Sequence, residues 1–231
     1  MTEFLFLPLI TVLLAAWGLF MIRVAGGPRL ERSDLLHATL AAAIGYASVR
    51  TTVAFGSIPY TGPEAVSLSL FGALALLCAW VDHRTAWAPD GLILLLLISG
   101  LLTGALLGTG PVGVLWAPVL GLALFLLAQG SWAAQCLLGP RVLTPPDQIA
   151  LALPVLVFGL TYHAPITWAL MCIPLLVFLK TPYPVYRRLR GPAASEAVLD
   201  AGLTGSGRSA PVLPIVLTTL LGVLLFRLLK G

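Results

Sequence analysis

A chain of 231 residues that is 59% hydrophobic and only 10% charged, with a mean hydropathy of +1.01, has too little polar surface for a soluble domain and points to a polytopic membrane protein. The net charge of +4 and pI near 9.3 would suggest nucleic acid in a soluble chain. Here the basic residues report membrane topology instead, and no nucleic-acid partner is expected. The three cysteines, Cys78, Cys136 and Cys172, stand alone within apolar runs. They are read as small packing residues, not as a disulfide framework or a zinc knuckle.

A bilayer core of about 30 Å takes roughly 20 apolar residues per helix. Segments 3–24, 35–57, 64–81, 90–109, 112–138, 147–162, 164–180 and 211–229 approach that length. The expected fold is therefore all-α: one integral domain over residues 1–231, a transmembrane bundle of about eight helices. The first segment, MTEFLFLPLITVLLAAWGLF, carries the acidic Glu3 and has its arginines, Arg23, Arg29 and Arg32, behind it. That pattern reads as a membrane helix rather than a secretory signal. The sixth and seventh segments are short and meet at TYHAP, as two spans or as a broken, re-entrant pair. Residues 181–211, rich in Gly, Ser, Pro and Ala, read as a flexible cytoplasmic connector before the last helix, with one short helix over PAASEAVLDAG.

Positive charge orients the chain. With the N-terminus outside, the inside segments carry Arg23, Arg29, Arg32, Arg84, Arg141, Lys180, Arg187, Arg188, Arg190 and Arg208, ten of the thirteen basic residues. The same topology brings Asp82, Asp90 and Asp147 to the cytoplasmic boundary. Carboxylates at membrane depth cost several kcal/mol to ionise unless hydrated or paired, which makes them functional-site candidates. Asp90 also serves, on the residues alone, as the cap of a helix starting at Gly91.

In VDHRTAWAPDGLILLLLISGLL, the order Asp82, Thr85, Pro89, Asp90, Leu92 and then Gly100-Leu101 resembles the first active-site motif of type IV prepilin peptidases, intramembrane aspartic peptidases of the GxGD type. The resemblance covers some twenty residues. It implies a bacterial or archaeal cytoplasmic (inner) membrane protein with Asp82 as the first catalytic aspartate and Thr85, Pro89 and Asp90 as supporting residues. Hydrolysis by an aspartyl pair needs one carboxylate as base on a water and a second, protonated one to polarise the scissile carbonyl. The downstream acid is Asp147, 65 residues on, opening an apolar helix from the same face. The family has Gly-x-Gly-Asp and a nearby Lys there, whereas this chain has Thr144-Pro145-Pro146-Asp147-Gln148-Ile149. Two prolines fix φ and remove two amide donors where glycines would let the backbone bend. Asp147 is also an ordinary first-turn acid after Pro-Pro.

The expected substrate is a pilin-like precursor, cut at the cytoplasmic face just before its hydrophobic helix. The short, cysteine-free VAGGPRLERSD stands where larger bacterial members carry a cytoplasmic loop often bearing paired Cys-x-x-Cys motifs, so N-methylation is not expected. Two alternatives come from other classes: an inactive relative that binds pilin or secretion components, and a small proton-coupled transporter. Arg50 is expected to pair with Glu64. His37 and His83 are positioned to tune the acids, while His163 lies at the opposite face. No histidine has metal-ligand spacing, so neither metal nor cofactor is assigned. Gly100 and Gly104 read as a close-packing helix face.

Overall fold

The structure, a computed structural model, describes residues 2–24, 31–85, 88–130, 145–180 and 212–230. They form eight helices and no strand: α1 (Thr2–Val24), α2 (Arg32–Phe55), α3 (Gly62–Thr85), α4 (Asp90–Leu106), α5 (Gly110–Gly130), α6 (Pro145–Phe158), α7 (His163–Lys180) and α8 (Leu213–Lys230). Two of these, α3 and α8, are long and apolar enough to cross a membrane. The connector 181–211, with its expected short helix and with Arg187, Arg188 and Arg190, lies outside the described residues, as do Cys136 and the side chain of Cys172. Cys78 is buried and free.

α3 is the hub. Its Ala, Gly, Ser and Cys positions leave little side-chain bulk, and α2, α4, α8 and α1 all pack on it. At the α2–α3 crossing the two backbones meet through Gly45 and Gly72. A Cβ on Gly45 would overlap the carbonyl of Gly72, and one on Gly72 would overlap that of Gly45. Such approach is open only to residues without a side chain. α4 closes on α6 in the same way, since a Cβ on Gly104 would strike the Leu156 carbonyl and one on Gly100 would crowd Leu153. The close-packing expectation for these two glycines thus finds its partner in α6.

Local chemistry sets the helix ends. Thr61-Gly-Pro-Glu64 has the spacing of a capping box and makes its return half: Glu64 Oε2 accepts from the Thr61 amide at 2.7 Å and from its hydroxyl at 2.8 Å. Glu64 is thus engaged locally, at the start of α3. α4 starts at Asp90 itself, with Pro89 in extended conformation at its N-cap and no side-chain cap. Asp90 is therefore the first helical residue, not the cap, a correction of one residue that follows from the fixed φ of Pro89. α6 ends at Gly159, whose φ of +61° is a left-handed conformation suited to glycine. α6 and α7 are two antiparallel helices joined by a tight turn. The Trp168 indole N–H donates to the Leu151 carbonyl at 3.0 Å, beside the ladder that Pro154 interrupts. With 14 residues, α6 is about 21 Å long.

The bundle has two distinct ends. One gathers the start of α2, the end of α3, and the starts of α4 and α8; Leu213 and Asp82 meet there, as do Arg84 and Asp34. At the other end the Thr109 hydroxyl donates to Val157 O at 2.6 Å and to Gly104 O at 3.1 Å, and Arg227 Nη2 donates to Leu107 O at 3.0 Å. Large apolar side chains point outward along the helices, among them Leu36, Ile44, Leu94, Leu115 and Phe226.

Candidate active site

The site is built on the last turn of α3. The charged stretch Asp-His-Arg-Thr continues that helix through Thr85, four residues beyond the apolar run that ends at Val81. Asp82 is thus a helical residue, and it is only 4% exposed. One of its carboxylate oxygens, Oδ2, accepts the backbone N–H of Leu213 at 3.1 Å. Leu213 is the first residue of α8, so the carboxylate meets an amide that has no partner within its own helix. The positive end of a helix suits a carboxylate.

Thr85, fully buried one turn later, donates its hydroxyl to Val81 O at 2.8 Å and so closes the end of α3. Pro89 is buried and starts α4, while Asp90 faces outward from the first turn of α4. His83 and His37 are exposed. Cys78 lies one turn before Asp82, its thiol 3.9 Å from Leu92 O.

Asp34 is an acid that sequence reasoning missed. It is 4% exposed at its side chain and sits in the first turn of α2. Its Oδ1 takes the Arg84 Nε at 3.0 Å, and its Oδ2 takes the Glu31 amide at 2.7 Å. Glu31-Arg-Ser-Asp34 has the three-residue spacing of a helix start, which is the signal that would have found it. Arg84, expected only to report topology, fastens the end of α3 to the start of α2 two residues from Asp82. Replacing Arg84 by Met leaves Asp34 buried without its cation; we expect a loss of about 1–3 kcal/mol, moderated by the 30% exposure of Arg84. Thermal unfolding in detergent would measure it, and Asp34→Asn in the same chain should restore part of the loss.

Asp147 occupies the first turn of α6. α6 ends beside Thr109 and His163 at the opposite end of the bundle, so its start lies at the same end as Asp82. Its side chain lies outside the described residues, and the structure places this residue by its helix alone. α4 links the two acids, packing on α3 along one flank and on α6 along the other. Between α4, α5 and α6 runs an apolar cavity of about 540 Å³, lined by Leu97, Leu101, Val114, Pro118, Ile149 and Leu153. Ile149 is two residues beyond Asp147. Among the described residues no group of three His, Cys, Asp or Glu is placed to hold a metal ion.

No family model, no curated protein and no solved structure matches the chain.

Proposed function

We propose that the chain is a multi-pass protein of a bacterial or archaeal cytoplasmic membrane, with all eight helices lodged in the bilayer and the N-terminus outside. It acts there as an intramembrane aspartic endopeptidase on pilin-like precursors, without N-methylation. The outward apolar side chains support the lipid setting, because so much exposed Leu, Ile, Phe and Val is not stable against water. The observation that carries the enzymatic reading is Asp82: a carboxylate almost wholly buried at the end of the central helix, at the end of the bundle where the Asp147 turn begins.

In this reading Asp82 and Asp147 share a proton and act on one water. The ionised member takes the water's proton as the oxygen attacks the scissile carbonyl, and the protonated member donates to the carbonyl oxygen. Asp82, held by the Leu213 amide, is suited to the ionised role. The precursor's hydrophobic helix lies along the cavity between α4, α5 and α6, and its leader reaches the end that carries Asp82. The scissile stretch unwinds first, since a helical carbonyl is tied to the amide four residues on.

The test is cleavage of a co-expressed pilin-like precursor in membranes, scored by mobility shift. Asp82→Asn and Asp147→Asn are each expected to lower it at least about 1,000-fold with normal protein abundance. Cutting that survives Asp147→Asn would remove that residue from the mechanism. The Leu213 bond also favours a second reading, in which Asp82 is a structural acid and the protein binds pilin or secretion components without cutting them. Absence of cutting across suitable precursors, with the precursor still retained on the protein, would establish that reading in place of the first.

A further inference from the structure

Asp82 is almost wholly buried, which leaves a substrate no approach to its carboxylate. One side is closed by the start of α8, where Val212 and Leu213 are themselves buried and the Leu213 N–H donates to Asp82 Oδ2. How firmly that start is held decides whether the acid is ever uncovered.

The two ends of α8 are fastened differently. At the far end Arg227 Nη2 donates to Leu107 O, and the Ser57 hydroxyl donates to Leu229 O at 3.1 Å. Gly56 lies so close to Leu228 O that a Cβ on it would overlap that carbonyl. This end is thereby tied both to the turn after α2 and to the end of α4. At the Asp82 end the first turn of α8 has one amide to offer. Pro214 has no N–H, and the amides of Ile215 and Val216 turn back on Val212 O at 3.1 and 3.2 Å. The hydroxyls of Thr218 and Thr219 also stay within α8. Among the described residues, the Leu213 bond is therefore the one hydrogen bond from this end of α8 to another helix.

Between the two ends lies Gly222. A Cβ added there would meet nothing within 4 Å beyond its own stretch of helix, so close packing does not account for a glycine at this position as it does for Gly45. A glycine at mid-helix weakens the helix at that point. What else holds the start of α8 is apolar, from Leu213, Val216 and Leu217. In a bilayer such side chains exchange helix contacts for acyl chains of like polarity, and no hydrophobic penalty opposes the separation.

We propose that the start of α8 is a gate over Asp82. Anchored at its Arg227 end and hinged near Gly222, it swings away from α3 when the Leu213 bond opens, and it admits water and a substrate to the carboxylate. The identity of what enters rests on the peptidase reading of Asp82 and Asp147, whereas the motion stands on the fastening of α8.

The test uses the full chain in lipid nanodiscs, where both faces meet a charged, water-soluble thiol reagent. Cysteine is placed at a buried position in each half of α8: Val216→Cys towards Asp82 and Leu228→Cys towards the anchored end. Labelling of the native cysteines is read from the parent chain. Val216→Cys is expected to label slowly but completely, because the rate follows the fraction of time the gate is open, and Leu228→Cys at least about tenfold more slowly. Asp82→Ala, which removes the acceptor, should raise the Val216→Cys rate at least about tenfold, while Asp82→Asn, which keeps an oxygen for the Leu213 amide, should stay within about threefold of the parent. Gly222→Ala should slow the labelling with no loss of folded protein. A Val216→Cys chain that never labels, that labels equally with and without the Asp82 acceptor, or that speeds up only together with Leu228→Cys would overturn the proposal. Cleavage of a pilin-like precursor separates the gate from the peptidase reading. The expected labelling with no precursor ever cut keeps the gate and removes the peptidase; a cut precursor with position 216 always shielded does the reverse.

Discussion

Gly45→Val is expected to prevent the chain from reaching a stable fold, seen as loss of the monodisperse peak in detergent and of the cooperative unfolding transition. The physical reason is that the group struck by the new side chain is the Gly72 carbonyl, a backbone atom in the middle of α3. A flexible side chain can swing aside; a helix carbonyl moves only if the helix moves. Overpacking of ordinary cores costs about 1–3 kcal/mol. Here α3 would have to retreat from α2 while also holding α1, α4 and α8, so the cost should exceed that range. Gly222→Ala is the matching control. Beyond its own stretch of helix backbone nothing lies within 4 Å of the Cβ it adds, and α8 should gain up to about 1 kcal/mol from better helix propensity. A chain that tolerated valine at position 45 as easily as alanine at 222 would contradict the α2–α3 crossing.

Substitutions of Asp82 should separate its packing from its proposed chemistry. Alanine removes the acceptor of the Leu213 N–H and leaves a buried amide unsatisfied, at a cost of about 1–3 kcal/mol. Asparagine keeps an oxygen where Oδ2 stands but cannot exchange a proton as a carboxyl does. Asp82→Ala should accordingly speed hydrogen exchange at the start of α8 by about tenfold to a hundredfold and abolish cleavage. Asp82→Asn should leave exchange near the parent's and still abolish cleavage. If the asparagine variant cuts normally, Asp82 serves packing alone. If exchange at the start of α8 is unchanged even in the alanine variant, the carboxylate is not what fastens that helix.

The positions of the helices were largely legible, because an apolar run of twenty residues has few alternatives to a helix in a chain this poor in polar surface. The end of α3 was not. Asp-His-Arg-Thr reads as a loop by charge, yet it stays helical because Asp82 and Arg84 find partners in α8 and α2. Those partners lie 131 and 50 residues away in the chain, and no local periodicity reports them. Gly100 and Gly104 announced a packing face because they share one helix with four-residue spacing. Gly45 and Gly72 escaped notice because each helix contributes a single glycine to the crossing. Glu64 was read against a distant arginine, and the local role that the spacing of Thr-Gly-Pro-Glu announces at the start of α3 was passed over. For the site, sequence singled out Asp82 as an acid at the membrane boundary but did not foresee its burial within α3, and it missed Asp34, whose burial is matched by the Arg84 contact.

The bond between Asp82 and Leu213 also bears on the order in which the molecule is made. At ordinary translation rates the ribosome needs on the order of 10 s to travel from α3 to α8. Until then the α3 carboxylate lacks the amide that finally holds it, and the central helix lacks one of its walls. The end that carries Asp82 is therefore among the last parts of the protein to be completed during biogenesis, and a nascent chain halted before α8 carries both aspartates without the amide that holds the first.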